Sequence, residues 1–184
     1  KELFFKFYKD ELLKAAEIPP GKGYLSLKKL QDMGLLKTII TKRIFGLADR
    51  AGCTNVINLH GTIYRNVCPK CGAVYPMEYI KEAKGVPLCE KCLAPVRPKI
   101  CLFGEAVDNG VITRAANEMG KADVVLVLGA PVHVPMCQQL LQYYEGNQVI
   151  LVKETEHFSD TRANICIHSR CDDFLENLVR ECEG

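Results

Sequence analysis

Four cysteines stand in two close pairs, Cys68 with Cys71 and Cys89 with Cys92, in a C-x2-C-x17-C-x2-C spacing. Each pair brings two sulfurs to one turn, and two such turns complete a thiolate tetrahedron around Zn(II). With every coordination position filled by protein sulfur, no water can be activated there. The metal is therefore structural, and zinc hydrolysis is disfavoured. Eight residues before the first cysteine lies His60, in the stretch "NLHG". The four-sulfur site already has its full set of protein ligands, so His60 is not needed as a fifth. A lone histidine at a strand end is more often a satisfied structural residue. A place at the carboxyl end of a parallel strand, followed by Gly61, favours instead a residue that faces a ligand.

The elements that must position these residues are legible as periodicity. Residues 2–17 carry Phe4, Tyr8, Leu12 and Ala15 at helical spacing, and "IPPG" at 18–21 stops the helix. Residues 25–33 read as a second helix, closed at Gly34. Short apolar runs recur at 38–41, 55–59, 99–103, 124–128, 148–152 and 165–168, with helical patterns at 111–120, 136–145 and 172–182. Continuous apolar strands alternating with helices predict an α/β fold, a Rossmann-like parallel sheet with helices on both faces. Residues 66–98, rich in Cys, Pro, Lys and Gly, break this rhythm and read as a small inserted zinc-ribbon module. The predicted organisation is a large domain of 1–65 and 99–184 around a zinc-binding module of 66–98, with the helical residues 1–36 packing toward the small domain.

Six further cysteines are scattered through apolar segments, which argues against a disulfide framework and for thiol-bound metal in a reducing, cytoplasmic compartment. Residues 1–100 hold 18 basic and 9 acidic side chains, and residues 101–184 hold 6 and 13. No run of five basic residues accompanies the split, so it reads as two solvated faces and disfavours nucleic acid. Lys70, Lys81, Lys84 and Lys91 make the cysteine module mildly basic, as a solvated module is expected to be. The longest apolar run, "VVLVLGAPVHVP", is broken by glycine and proline, so no membrane span is predicted.

Taken in chain order, "ITKRIFGLADRAG" at 40–52, "NLHG" at 58–61, the four cysteines, "RPKICLFGE" at 97–105, "ADVVLVLGAPVHVP" at 122–135 and "VILVKETEH" at 149–157 resemble the sirtuins, NAD-dependent protein-lysine deacylases. The resemblance covers nearly the whole chain. It implies a Rossmann-like large domain, a small zinc-bearing domain, and a cleft between them for NAD and an acylated-lysine peptide. By the same resemblance, His60 is the general base toward the nicotinamide ribose hydroxyls, and the acyl group passes from lysine to ADP-ribose. Thr41, Lys42, Arg43, Ile44, Gly129, Ala130 and Lys153 fall at the family's NAD-contact positions. Phe103, Gly104 and Glu105, with Val132 and Val134, fall where the family clamps the peptide as an added strand.

Several positions depart from the family pattern. Its Thr-Gln-Asn-Ile-Asp reads Thr41, Lys42, Arg43, Ile44, Phe45, its Gly-Thr-Ser reads Gly129, Ala130, Pro131, and Lys153 replaces an asparagine. The opening strand and glycine-rich phosphate loop of the family have no counterpart, so the large domain is read as incomplete at its N-terminus. The chain is then part of a protein of about 230–250 residues. A sheet without its central strand would leave two open edges. The gained cations Lys42, Arg43 and Lys153, read as loop residues, fit either drift on exposed loops or a pocket for an anionic ligand such as a phosphorylated nucleotide. Two functions are therefore carried forward: a deacylase using His60, and a catalytically impaired sirtuin-fold module that binds a nucleotide or acylated peptide. A zinc-ribbon nucleic-acid binder is the weakest reading.

Overall fold

A computed structural model describes all residues from Lys1 to Gly184. The chain opens with α1 (Glu2–Phe7), a π-helical turn (Tyr8–Leu12) and α2 (Leu13–Ala15), which run on as one helix, then α3 (Lys22–Asp32). It continues through β1 (Ile39–Thr41), α4 (Leu47–Arg50), β2 (Val56–Asn58), β3 (Gly61–Val67), β4 (Val74–Tyr75), α5 (Met77–Glu82) and β5 (Arg97–Ile100). The last part holds α6 (Asn109–Gly120), β6 (Val124–Leu128), α7 (Pro135–Leu141), β7 (Gln148–Lys153), a 3-10 turn (Phe158–Arg162), β8 (Ile165–His168) and α8 (Cys171–Glu183).

The first helix corrects the sequence reading. Its buried residues are Phe5, Tyr8, Leu13 and Ala16 rather than Phe4, Leu12 and Ala15. The π-turn explains the change from Leu12 and Ala15 to Leu13 and Ala16, because one extra residue between Tyr8 and Leu13 rotates the apolar stripe forward by one position. Those four residues pack with Ile63, Cys68, Tyr75, Ile80, Cys89 and Val96 in one apolar core. The N-terminal helix thus shares its core with the cysteine segment.

Strands β1 and β2 pair in parallel, as do β6, β7 and β8 in that order, and the two sets do not hydrogen-bond to each other. They nevertheless lie between common helical layers. One core joins Ile39 and Val56 to Leu126 and Leu128 under α3 and α8, and another joins Ile40 and Ile57 to Val125 beside α6 and α7. Parallel strands covered on both faces are the predicted α/β arrangement, divided in two because no strand of this chain bridges the sets.

The run at 99–103 corrects a second expectation. Instead of joining the parallel sheet, residues 97–100 form β5, which pairs antiparallel with β3, and β4 flanks β3 on its other side. The chain therefore leaves the parallel layer after β2, builds a small antiparallel sheet, and returns after β5. At that junction the Cys101 N–H donates to the His60 carbonyl at 2.9 Å. Gly61 makes the crossing tight: its φ is +73°, and a Cβ there would stand 2.0 Å from the Lys99 carbonyl oxygen. No helix of the protein is long and apolar enough to cross a membrane.

Candidate functional site

The four sulfurs of Cys68, Cys71, Cys89 and Cys92 lie within 4.8 Å of one another, the donor set and compactness that a tetrahedral zinc requires. Both knuckles are built alike. The Cys68 N–H donates to Ala73 and Gly72 to the Cys68 carbonyl, while the Cys89 N–H donates to Ala94 and Leu93 to the Cys89 carbonyl. Gly72 and Leu93 occupy the same left-handed position, at φ +74° and +57°. Tyr75, buried in the module's core, accepts the Glu90 N–H at 2.9 Å, so its own proton is free to go to Cys89 Sγ at 3.1 Å. That hydrogen bond pulls the Cys89 thiol down to about 6, toward the thiolate that a metal needs.

His60 lies just past β2, where Leu59 N–H still bonds to the Thr41 carbonyl. Its Nδ1 is buried and has no partner in the chain. Two residues earlier, at the end of β2, the Asn58 Oδ1 is also buried and unpartnered, while its Nδ2 reaches Asp49 at 3.3 Å. Buried polar atoms seldom go unpaired, so two orphans at one strand end are exceptions to the usual pairing. Desolvation lowers the His60 pKa, and the nearby Lys42 ammonium lowers it further, so the ring is neutral at pH 7.

Thr41 ends β1, and its Oγ1 accepts the Arg43 N–H, turning the chain so that Lys42 and Arg43 are exposed. The next two residues turn inward: Ile44 and Phe45 pack on the core shared by the N-terminal helix and the cysteine segment. The structure thus brings Thr41 and Lys42 to the His60 end of the sheet and commits Phe45 to apolar packing. Gly129 closes β6 with its N–H on the Val152 carbonyl, and Ala130 packs beside buried Val132.

Lys153 is not the loop cation that the sequence reading expects. It is the last residue of β7, is 7% exposed, and pairs with equally buried Asp160 at 2.9 Å. Its charge is neutralised inside the protein, which leaves Lys42 and Arg43 as the free cations of that set.

The two segments assigned to peptide binding carry free backbone. Val132 and His133 make no main-chain hydrogen bond within the protein, nor do Phe103 and Gly104, and the Phe103 side chain is fully exposed. Val134 starts the turn into α7. Glu105 spends its carboxylate on the loop itself: Arg97 grips both oxygens, at 2.8 and 2.9 Å, and the Leu102 N–H adds a third bond. These contacts, Arg97 foremost, hold the Glu105 pKa down at about 2. The sequence reading missed Asn58, Tyr75 and a cluster of His133, His157 and Ser159. Of these only Asn58 carried a signal, its place in "NLHG".

A family model described as the Sir2 family matches residues 1–135. The chain belongs to the Sir2 family. It is 35% identical over 179 residues to an NAD-dependent protein deacetylase of Clostridium perfringens, covering 97% of this chain and 73% of that protein. It is 29% identical over 181 residues to NAD-dependent protein deacylase 1 of Archaeoglobus fulgidus, covering 97% and 74%. Among solved structures, a Sir2 protein bound to a propionylated peptide superposes with a TM-score of 0.89 at 29% identity, over 99% of this chain and 79% of that one. A second Sir2 structure, solved with a p53 peptide and NAD, gives 0.88 at 28%, over 99% and 78%. The Sir2 fold accounts for the parallel sheets, and the cysteine cluster for the zinc module inserted among them.

Proposed function

We propose that the protein is an NAD-dependent protein-lysine deacylase in which His60 is the general base. The observation that carries this reading is the neutral imidazole of His60, without a partner in the protein, at the carboxyl end of a parallel strand, where open α/β sheets bind their ligands. NAD, when bound, supplies the ribose that receives the acyl group as nicotinamide leaves. The chain's own part is to bind, to orient and to take a proton. His60 accepts a proton from a ribose hydroxyl through Nε2, the ring nitrogen that is not enclosed by protein. Thr41, Lys42, Arg43, Ile44, Gly129 and Ala130 form the dinucleotide side of the cleft, with Lys42 and Arg43 facing phosphate oxygens. Lys153 takes part through its buried pair with Asp160 rather than as a free charge. The free main-chain groups of Phe103 and Gly104, and of Val132 and His133, receive the acyl-lysine peptide as an added strand, ordered on one side by Glu105 and on the other by Val134.

The deciding experiment is nicotinamide release from NAD by the full-length protein with an acetyl-lysine peptide. Replacing His60 by Ala is expected to cut the rate by about 10²–10⁴, the usual worth of a positioned base. A rate that ignores the substitution would sink the proposal. A second reading, a sirtuin-fold module that binds a nucleotide or peptide without turnover, is favoured by the packing of partly buried Phe45 against apolar core where the family pattern is polar. It predicts thermal stabilisation by ADP-ribose with no nicotinamide released.

A further inference from the structure

His133, His157 and Ser159 form a hydrogen-bonded cluster that the proposed chemistry does not use. Ser159, 4% exposed, has its Oγ 2.8 Å from His133 Nδ1 and 2.7 Å from His157 Nδ1. The two imidazoles stack, with centroids 4.3 Å apart and planes 26° from parallel. His133 comes from the loop after β6, whereas His157 and Ser159 come from the turn after β7, so the cluster joins the two loops.

A main-chain hydrogen bond fixes one member of the cluster. The Ser159 N–H donates to His157 Nδ1 at 3.2 Å, closing a helix cap in which the His157 N–H donates to Asp160 at 2.8 Å. His157 Nδ1 is thus an acceptor and carries no proton. The Ser159 hydroxyl, 2.7 Å from that nitrogen and 2.8 Å from His133 Nδ1, bridges the two rings.

We propose that His133, Ser159 and His157 are positioning residues that hold the Val132–Val134 segment in the conformation that accepts the acyl-lysine peptide; this rests on the function proposed above. The main chain of Val132 and His133 bonds to nothing in the protein, so side chains alone fix it: Val132 by burial at 1% exposure, His133 through Ser159. The turn that carries Ser159 and His157 is itself anchored, because Asp160 is engaged by the Lys153 ammonium and by the His157 N–H.

The test uses the full-length protein and an acetyl-lysine peptide. Anisotropy at about pH 8 measures peptide affinity, and deuterium exchange reads the 130–135 segment. Ser159→Ala and His133→Val are expected to weaken binding about tenfold and to speed exchange in 130–135. His133→Asn, which keeps a hydrogen-bonding group near the Nδ1 position, restores binding. Unchanged exchange in Ser159→Ala and His133→Val overturns the cluster's hold on the segment. Faster exchange with unchanged peptide affinity overturns its positioning role. If the unaltered protein binds no acyl-lysine peptide, the proposed function and the positioning role that rests on it both fail, whereas the exchange data still decide the hold on the segment.

Discussion

His60 titrates below an ordinary imidazole because it is desolvated and, secondarily, because Lys42 stands near it. A base with a depressed pKa stays neutral further into acid, so the acidic limb of nicotinamide release is expected below the usual histidine value of about 6.5. Lys42→Ala removes one of the two causes and should move that limb upward, read as the pH at half-maximal kcat/KM. If Lys42 and Arg43 also face phosphate, Lys42→Ala with Arg43→Ala should lower nucleotide affinity about tenfold. In the zinc site, Tyr75→Phe removes the only hydroxyl on a ligating sulfur and should weaken zinc binding about 10–100-fold in a chelator competition. The ligands themselves were legible because their partners lie three residues apart. Lys153 was not, since its partner Asp160 is brought to it only by the turn after β7, and a sequence offers no sign that a lysine is buried.

At the scale of elements, Leu93 holds a left-handed conformation at the place where the first knuckle has Gly72. It is exposed and packs little, so Leu93→Gly should stabilise the protein by up to about 1 kcal/mol, measured by denaturant midpoint. Gly61→Ala should do the reverse and severely, because the added carbon would meet the Lys99 carbonyl. The strands of the parallel sets were read within a residue or two because they are short continuous apolar runs. The run at 99–103 misled for the same reason, since an apolar stretch gives no information on whether its neighbour runs parallel or antiparallel. The π-turn was equally hidden, as the exact register of an apolar stripe depends on one inserted residue.

Across the whole molecule, Glu118 on α6 ties the helical layer to the first parallel pair. It accepts from Thr38 at 2.6 Å, from Lys121 at 2.9 Å and from Asn55 at 3.4 Å, and these bonds, Thr38 first, hold its pKa at about 2. A depressed carboxyl contributes stability that is complete above its unfolded value and is lost as pH falls through the folded one. The protein should therefore lose stability between about pH 4.5 and 2, and Thr38→Val should flatten that limb in acid denaturation. Removal of zinc should act elsewhere. Cys68 and Cys89 belong to the core that also holds Phe5 and Tyr8, so chelation is expected to raise deuterium exchange over 1–16 and 61–100 while β6, β7 and β8 stay protected.

The passage between the layers has a mechanical side. The chain enters the antiparallel layer through His60 and Gly61 and leaves it at Cys101, and these two crossings are stapled by one hydrogen bond to the His60 carbonyl. Should the zinc-bearing layer swing against the parallel one, the staple is the fulcrum, and displacement grows with distance from it. The cysteines of the zinc site ride on the lever, while the imidazole proposed to take the proton sits beside the axis and keeps its place.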